Sequence, residues 1–261
     1  MLDTTRIHLA AMGAAYQAAQ IIRGYLGKLP RVDKKGAIDL VTDADKASEA
    51  AIIDAIRWRF PDHSFLAEES GATPGDERYV WIIDPLDGTT NFTHQLNAFS
   101  ISIALAAEGQ LIYGTVLDPV SGELFEAFAG QGATLNGQSI SVTSTTNLEE
   151  CLLVTGFPYN LKDHIRPLMQ RFENCLLAAQ GVRRLGSAAL DLCYVACGRF
   201  DGFWEQHLKP WDTAAGTVIA REAGARVTDF SGNPFQVEMP ELLATNGPIH
   251  SAMQALLALD T

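Results

Sequence analysis

Five acidic side chains stand where apolar runs end: Glu68 and Glu69 after SFLA, Asp84 and Asp87 after VWII, and Asp212 in KPWDTAAG. Unpaired charge beside oily strand ends is costly, so something positive has to compensate it. Hard divalent cations such as Mg²⁺ do so, taking oxygen ligands at about 2.1 Å and keeping several waters. The turn Asp84-Pro85-Leu86-Asp87 suits them. Pro85 fixes φ and stiffens the turn, so both carboxylates and the Leu86 carbonyl can aim at one point. Two cations roughly 3.5–4 Å apart can clamp the attacking and leaving oxygens of a phosphoryl group. Gly88-Thr89-Thr90 follows at once; glycine lets the backbone approach, and successive N–H groups at a turn or helix start form an anion nest. Each part also has a simpler reading. Asp212 alone could cap a helix, Glu68 and Glu69 could be solvated acids, and Asp84-Pro85 could be a structural turn. Capping and ligation are compatible, because one carboxylate oxygen can do each.

The elements that must position these residues follow from periodicity. Leu9, Met12, Tyr16, Ala19, Ile22 and Leu26 recur at helical spacing, predicting an amphipathic helix that ends near Gly27. A polar loop, RVDKKGAIDLVTD, comes next; its Lys34 and Lys35 are candidates to cover a phosphate, or simply a solvated pair. A second helix starts near Asp43 or Asp45 and runs to Pro61. SFLAEES and YVWIID read as strands, AFSISIALAAEGQ, QLIYGTVLDP and ELFEAFAG as extended, and Asn136-Gly137 as a hairpin turn. After about residue 150, strands (CLLVTGF, VRRLG, DGFWEQ) alternate with helices (DHIRPLMQRFENCLLAAQG, SAALDLCYVACG, DTAAGTVIAREAG), the last closed by Gly224. The expected fold class is α/β, an α+β layered sandwich: N-terminal helices on an antiparallel sheet, then an alternating α/β half. Residues 1–145 and 146–261 form the two expected halves, divided at the polar TSTTN stretch.

Composition narrows the function classes. The 261 residues are 47% hydrophobic and 19% charged, an ordinary globular mixture. A formal net charge of −12 argues against a nucleic-acid surface, yet leaves anionic substrates open, since a bound cation inverts the local field. The four cysteines lack zinc-site spacing and suggest no disulfide framework, which fits a reducing cytoplasm. Arg6, His8 and Gln17 interrupt the apolar N-terminal residues, so a signal peptide or membrane span is not expected there. His63, His94 and His207 read as structural or solvated. Arg183-Arg184 is the compact basic feature that could serve a partner or a dimer seam, or else a strand-edge pair bonded to local acids.

The run WIIDPLDGTTNF (residues 81–92) closely resembles the signature of the inositol monophosphatase family. Asp39-Leu40-Val41-Thr42 with Asp45, Glu68-Glu69-Ser70, and Trp211-Asp212 with Ala215-Gly216 resemble its other motifs, in the family's order and over nearly the whole chain. The resemblance implies two to three Mg²⁺ per site. Glu68, Asp84 and the Leu86 carbonyl would hold the first; Asp84, Asp87 and Asp212 the second; a weaker third would lean on Glu68 through waters. Asp45 and Thr89, beside Glu68, would orient or activate the attacking water. The Gly88 and Thr89 amides would take the phosphate, Glu205 would meet a substrate hydroxyl, and Gly186, Ser187 and Ala188 would line the pocket beside Asp87 and Asp212. Ala67 stands where the family commonly has glycine, and Lys209-Pro210 before Trp211 is a variation that bears on substrate choice.

The activity so implied is Mg²⁺-dependent, Li⁺-sensitive hydrolysis of a small phosphate monoester, foremost myo-inositol 1-phosphate, by a cytoplasmic homodimer. Related enzymes cleave fructose 1,6-bisphosphate, histidinol phosphate or nucleotide 3′-phosphates, and residues 156–210, facing the leaving group, should separate these. A different class stays open: a binding protein in a larger complex, as some bacterial family members resemble in their association with RNA-processing or transcription machinery.

Overall fold

The computed structural model describes residues 3–28, 32–34, 40–158 and 161–259. Its first helix, α1 (Thr4–Tyr25), starts where the Asp3 side chain accepts from the Arg6 amide. The face it buries matches the expected one only in part, through Met12, Ala19, Ile22 and Leu26. Ile7, Ala10, Ala11, Ala14, Ala15, Ala18, Ala19 and Ile22 are buried, whereas Leu9 and Tyr16 are 46% and 41% exposed. Small side chains let helices approach closely, so shape rather than hydrophobicity chooses the inner face here. The supposed polar loop also contains order: β1 (Val32–Lys34) and β2 (Leu40–Thr42) pair antiparallel. β2 leads straight into α2 (Asp43–Arg59), which packs beside α1.

The first sheet is built from β3 (His63–Ala67), β4 (Gly71–Thr73), β5 (Asp76–Asp87), β6 (Ser100–Ala107), β7 (Gln110–Leu117), β8 (Leu124–Phe128), β9 (Ala133–Leu135) and β10 (Gln138–Ile140). Its order is β10-β9-β8-β7-β6-β5-β3-β4, antiparallel throughout except where β3 runs parallel to β5. Asn136 and Gly137 make the β9–β10 turn with φ of 50° and 77°, as the hairpin signal requires. A short helix, α3 (Thr89–Thr93), follows β5.

The second sheet contains β11 (Leu152–Thr155), β12 (Gly181–Arg183), β13 (Gly202–Gln206), β14 (Arg226–Thr228) and β15 (Glu241–Thr245), in the order β12-β11-β13-β15-β14. Both neighbours of β11 are parallel to it; the β15 pairings are antiparallel. Four helices complete the chain: α4 (Leu161–Ala178), α5 (Ala188–Ala196), α6 (Pro210–Glu222) and α7 (His250–Leu257).

Strand alternation decides the layering. Val154, Phe203 and Ala244 point from the second sheet into a core shared with α5 and α6. Leu153, Trp204 and Leu243 point the other way, onto α4 and α7. From the opposite side, Ile82, Ala104 and Val116 of the first sheet pack on Ala189, Leu190, Ala215 and Val218 of the same α5 and α6. The result is a five-layer α/β sandwich with α5 and α6 in the middle, in line with the expected class. α6 lies very close to the first sheet: a Cβ on Gly114 would sit 2.5 Å from the Ala215 carbonyl oxygen.

Candidate active site

β5 delivers the two central acids. Its pairing with β6 shifts register between Asp84 and Asp87, and such an irregularity re-aims side chains at a strand end. Four hydrogen bonds hold the turn. The Ser48 hydroxyl of α2 donates to the Pro85 carbonyl at 2.9 Å, and the Leu86 amide donates to Asp84 Oδ1 at 2.9 Å. Asp87 Oδ2 accepts from the Ser187 hydroxyl at 2.6 Å and the Ala189 amide at 2.8 Å. The chain then turns at Gly88 with φ of 98°, where a Cβ would lie 2.9 Å from the Ala98 carbonyl and 3.1 Å from that of Gly186. Glycine is required there on both counts.

Two helices present an aspartate by the same device. In α2 the Thr42 amide donates to Asp45 Oδ2 at 2.7 Å, leaving Oδ1 to accept from the Thr89 hydroxyl at 2.9 Å. In α6 the Lys209 amide donates to Asp212 Oδ2 at 2.7 Å. Each acid occupies the third helical position and spends one oxygen on the helix start. Asp212 is therefore not the N-cap itself, which is Lys209, with Pro210 opening the helix. Asp84 lies close enough for the two carboxylates to influence each other's charge.

The electrostatics are those of crowded acids. Burial, then Glu68, Asp87 and Asp212, pushes the Asp84 carboxyl well above the usual range. Asp212 is pushed up to about 8 by burial and then Asp87. Asp87 reaches only about 6, because its bonds from Ser187 and Ala189 favour the ionised form against burial. Burial also raises Asp45, opposed by Thr42 and Thr89. Glu205, on β13, is raised by burial and by Asp212 and Asp87, with Arg184 acting the other way.

These groups share a cavity of about 290 Å³, walled by Glu68, Asp87, Gly88, Gly186, Glu205 and Asp212 among others. Ala188 and Thr90 also line it. Asp84, Asp45, Thr89 and Ser187 are buried behind that wall. Arg184, Phe157 and Lys209 form the far side, the Arg184 guanidinium lying 5.6 Å from the Phe157 ring centre. The Arg183-Arg184 pair is thus divided. Arg183 is exposed on β12, while Arg184 faces the cavity. His207, read as incidental, lines the cavity too, whereas His63 accepts from Trp81 Nε1 at 3.0 Å, away from it. The side chain of Lys34 and all of Lys35 and Asp39 lie outside the described residues.

Three supporting residues escaped the sequence reading. Glu49, 4% exposed, accepts from the Glu69 and Ser70 amides at 2.8 and 2.9 Å, pinning the turn after Glu68. Ser48 holds Pro85. Asn91 donates to the Ala98 and Leu185 carbonyls at 2.6 and 2.8 Å, tying α3 to the segment between β12 and Gly186. Each has a partner remote in sequence; the α2 pair gives no local signal beyond two polar residues on an inward helical face.

In donor chemistry the acids fit a divalent cation: they offer hard oxygens, and around Asp84 the main influences after burial are other carboxylates. Among the described residues no three His, Cys, Asp or Glu side chains close around a point that could hold an ion. Asp87 accepts from Ser187 and Ala189, and the Leu86 carbonyl accepts from the Thr89 hydroxyl at 3.1 Å.

Layered α/β architecture and this acidic, glycine-flanked cavity define the setting for the comparisons. Residues 3–260 match the Inositol monophosphatase family, and the chain belongs to that family. It is 46% identical over 253 residues to an Inositol-1-monophosphatase of Synechocystis sp., covering 95% of this chain and 87% of that one. It is 41% identical to the Nus factor SuhB of Pseudomonas aeruginosa, covering 93% and 92%. The solved inositol monophosphatase of Anabaena (Nostoc) sp. superposes with a TM-score of 0.87 at 45% identity, covering 95% and 93%. Family and relatives support a phosphatase. No helix among the described residues is long and apolar enough to cross a membrane.

Proposed function

We infer that the chain is a Mg²⁺-dependent phosphatase of small polyol phosphate monoesters, with myo-inositol 1-phosphate foremost. One observation carries this reading: the carboxylates Glu68, Asp87 and Asp212 line one cavity together with Gly88, the glycine turn at the head of α3. Glu68, Asp84, the Leu86 carbonyl, Asp87 and Asp212 would hold the metal. Bound divalent cations would offset the acids' charge and polarise the phosphoryl oxygens.

The chain's own groups supply the rest. The first-turn amides after Gly88 have no partner within α3 and offer donors to phosphate oxygens. A water hydrogen-bonded to the Thr89 hydroxyl can pass its proton through Thr89 to Asp45, a base strengthened by burial. The water oxygen then attacks phosphorus in line, the bond to the alcohol oxygen breaks with its electron pair staying on that oxygen, which takes a proton from solvent water, while Asp45 returns its own proton to solvent. Glu205 faces the leaving alcohol, where it can accept from a hydroxyl.

Phosphate release from inositol, sugar and nucleotide monophosphates, with and without Mg²⁺, tests this. Fastest turnover on inositol 1-phosphate, abolished by chelation, is expected; much faster release from another monoester would overturn the substrate. The similarity to a Nus factor SuhB favours a second role in a transcription complex. A stoichiometric partner captured by protein inactive with Mg²⁺ would put that role first. A homodimer is part of the proposal and is checked by sedimentation.

A further inference from the structure

We propose that Gly156 is a specificity-determining residue, there to let the Glu205 carboxylate occupy the leaving-group end of the cavity. This rests on the phosphatase reading above. β11 runs parallel to β13 with Val154 beside Phe203 and Thr155 beside Trp204. The Thr155 hydroxyl donates to the Trp204 carbonyl at 2.6 Å and fastens the two strand ends together. One residue further on, Gly156 comes against Glu205, and both line the cavity.

A Cβ on Gly156 would fall 2.0 Å from Glu205 Oε2 and 2.4 Å from Oε1. Backbone geometry is not the reason for glycine, since Gly156 is absent from the positive-φ positions of the chain. The space is the reason. The obstructed atoms are the far end of a flexible side chain, so a methyl group at 156 would swing the carboxylate aside and leave the strands in place. Glu205 is only 8% exposed and shares the cavity wall with Gly186 and Ala188, so a carboxylate displaced from its place leaves the position that faces the leaving group. A leaving alcohol rich in hydroxyls would then lose its acceptor, while one without hydroxyls would lose nothing.

The test compares wild type, Gly156→Ala, Glu205→Ala and the double variant, each with Mg²⁺, on myo-inositol 1-phosphate and on p-nitrophenyl phosphate. For Gly156→Ala the KM for inositol phosphate should rise about tenfold or more, with kcat and p-nitrophenyl phosphate turnover within about twofold of wild type. Its thermal midpoint should stay unchanged. In the Glu205→Ala background the added methyl should have no further effect on inositol phosphate. Equal losses on both substrates, no loss on either, or additive losses in the double variant would overturn the proposal while leaving the phosphatase reading intact. Wild-type protein that releases phosphate from neither substrate overturns both.

Discussion

Asp84 sits where repulsion is greatest, with burial and three other acids all opposing its charge. Asp84→Asn should therefore leave the metal-free fold as stable as before, or more so, while Mg²⁺-dependent turnover falls by at least ~10²-fold. Calorimetry and phosphate release on the same sample check both halves, and wild-type-like turnover would refute the metal assignment. Glu49 makes the opposite case. Glu49→Ala leaves the Glu69 and Ser70 amides without their acceptor, which should cost about 1–3 kcal/mol in urea unfolding and weaken Mg²⁺ binding by loosening Glu68. The contrast between these two acids shows what a sequence discloses. Asp84, Pro85, Leu86 and Asp87 are contiguous with their anion nest, so their chemistry can be read in one line. Glu49 acts on residues 20 and 21 positions away, and nothing beside it in the chain announces that.

At the scale of elements, the site is a meeting of helix beginnings. α2 offers Asp45, α5 offers Ser187 and the Ala189 amide, and α6 offers Asp212. Each brings the positive end of its dipole toward groups that carry negative charge. Their placement depends on close packing, above all of α6 on β7 at Gly114. Gly114→Ala should push α6 outward, costing about 1–3 kcal/mol of stability and lowering turnover as Asp212 moves. Chemical denaturation beside activity measures this; an unchanged midpoint would contradict the 2.5 Å approach. Periodicity disclosed most of these elements, including the strand–helix alternation after residue 150. It misjudged the edge of the inner face of α1 at Leu9 and Tyr16, because these outweigh alanines on a hydropathy scale while the alanines fit the narrow gap. The β1–β2 pair was hidden by polar residues, since two three-residue strands have too few positions to show alternation.

For the molecule as a whole, the acids tie stability to pH and metal. Unfolded aspartates titrate near 4, whereas Asp87 and Asp212 in the fold are raised to about 6 and about 8. Between those values the folded chain holds protons that the unfolded chain has released, so stability falls as pH rises from about 4 through about 8. The thermal midpoint of chelator-treated protein should be lower near pH 8.5 than near pH 5.5. Added Mg²⁺ should recover more at the higher pH. A flat or rising profile in the absence of metal would show that the acids are not coupled as described. The middle layer adds a last consequence. Because α6 is packed by both sheets and also carries Asp212, the enzyme has no wall that can melt by itself and spare the reaction centre. Heat inactivation and loss of global structure ought to trace a single curve, making catalytic output a direct gauge of how many molecules remain whole.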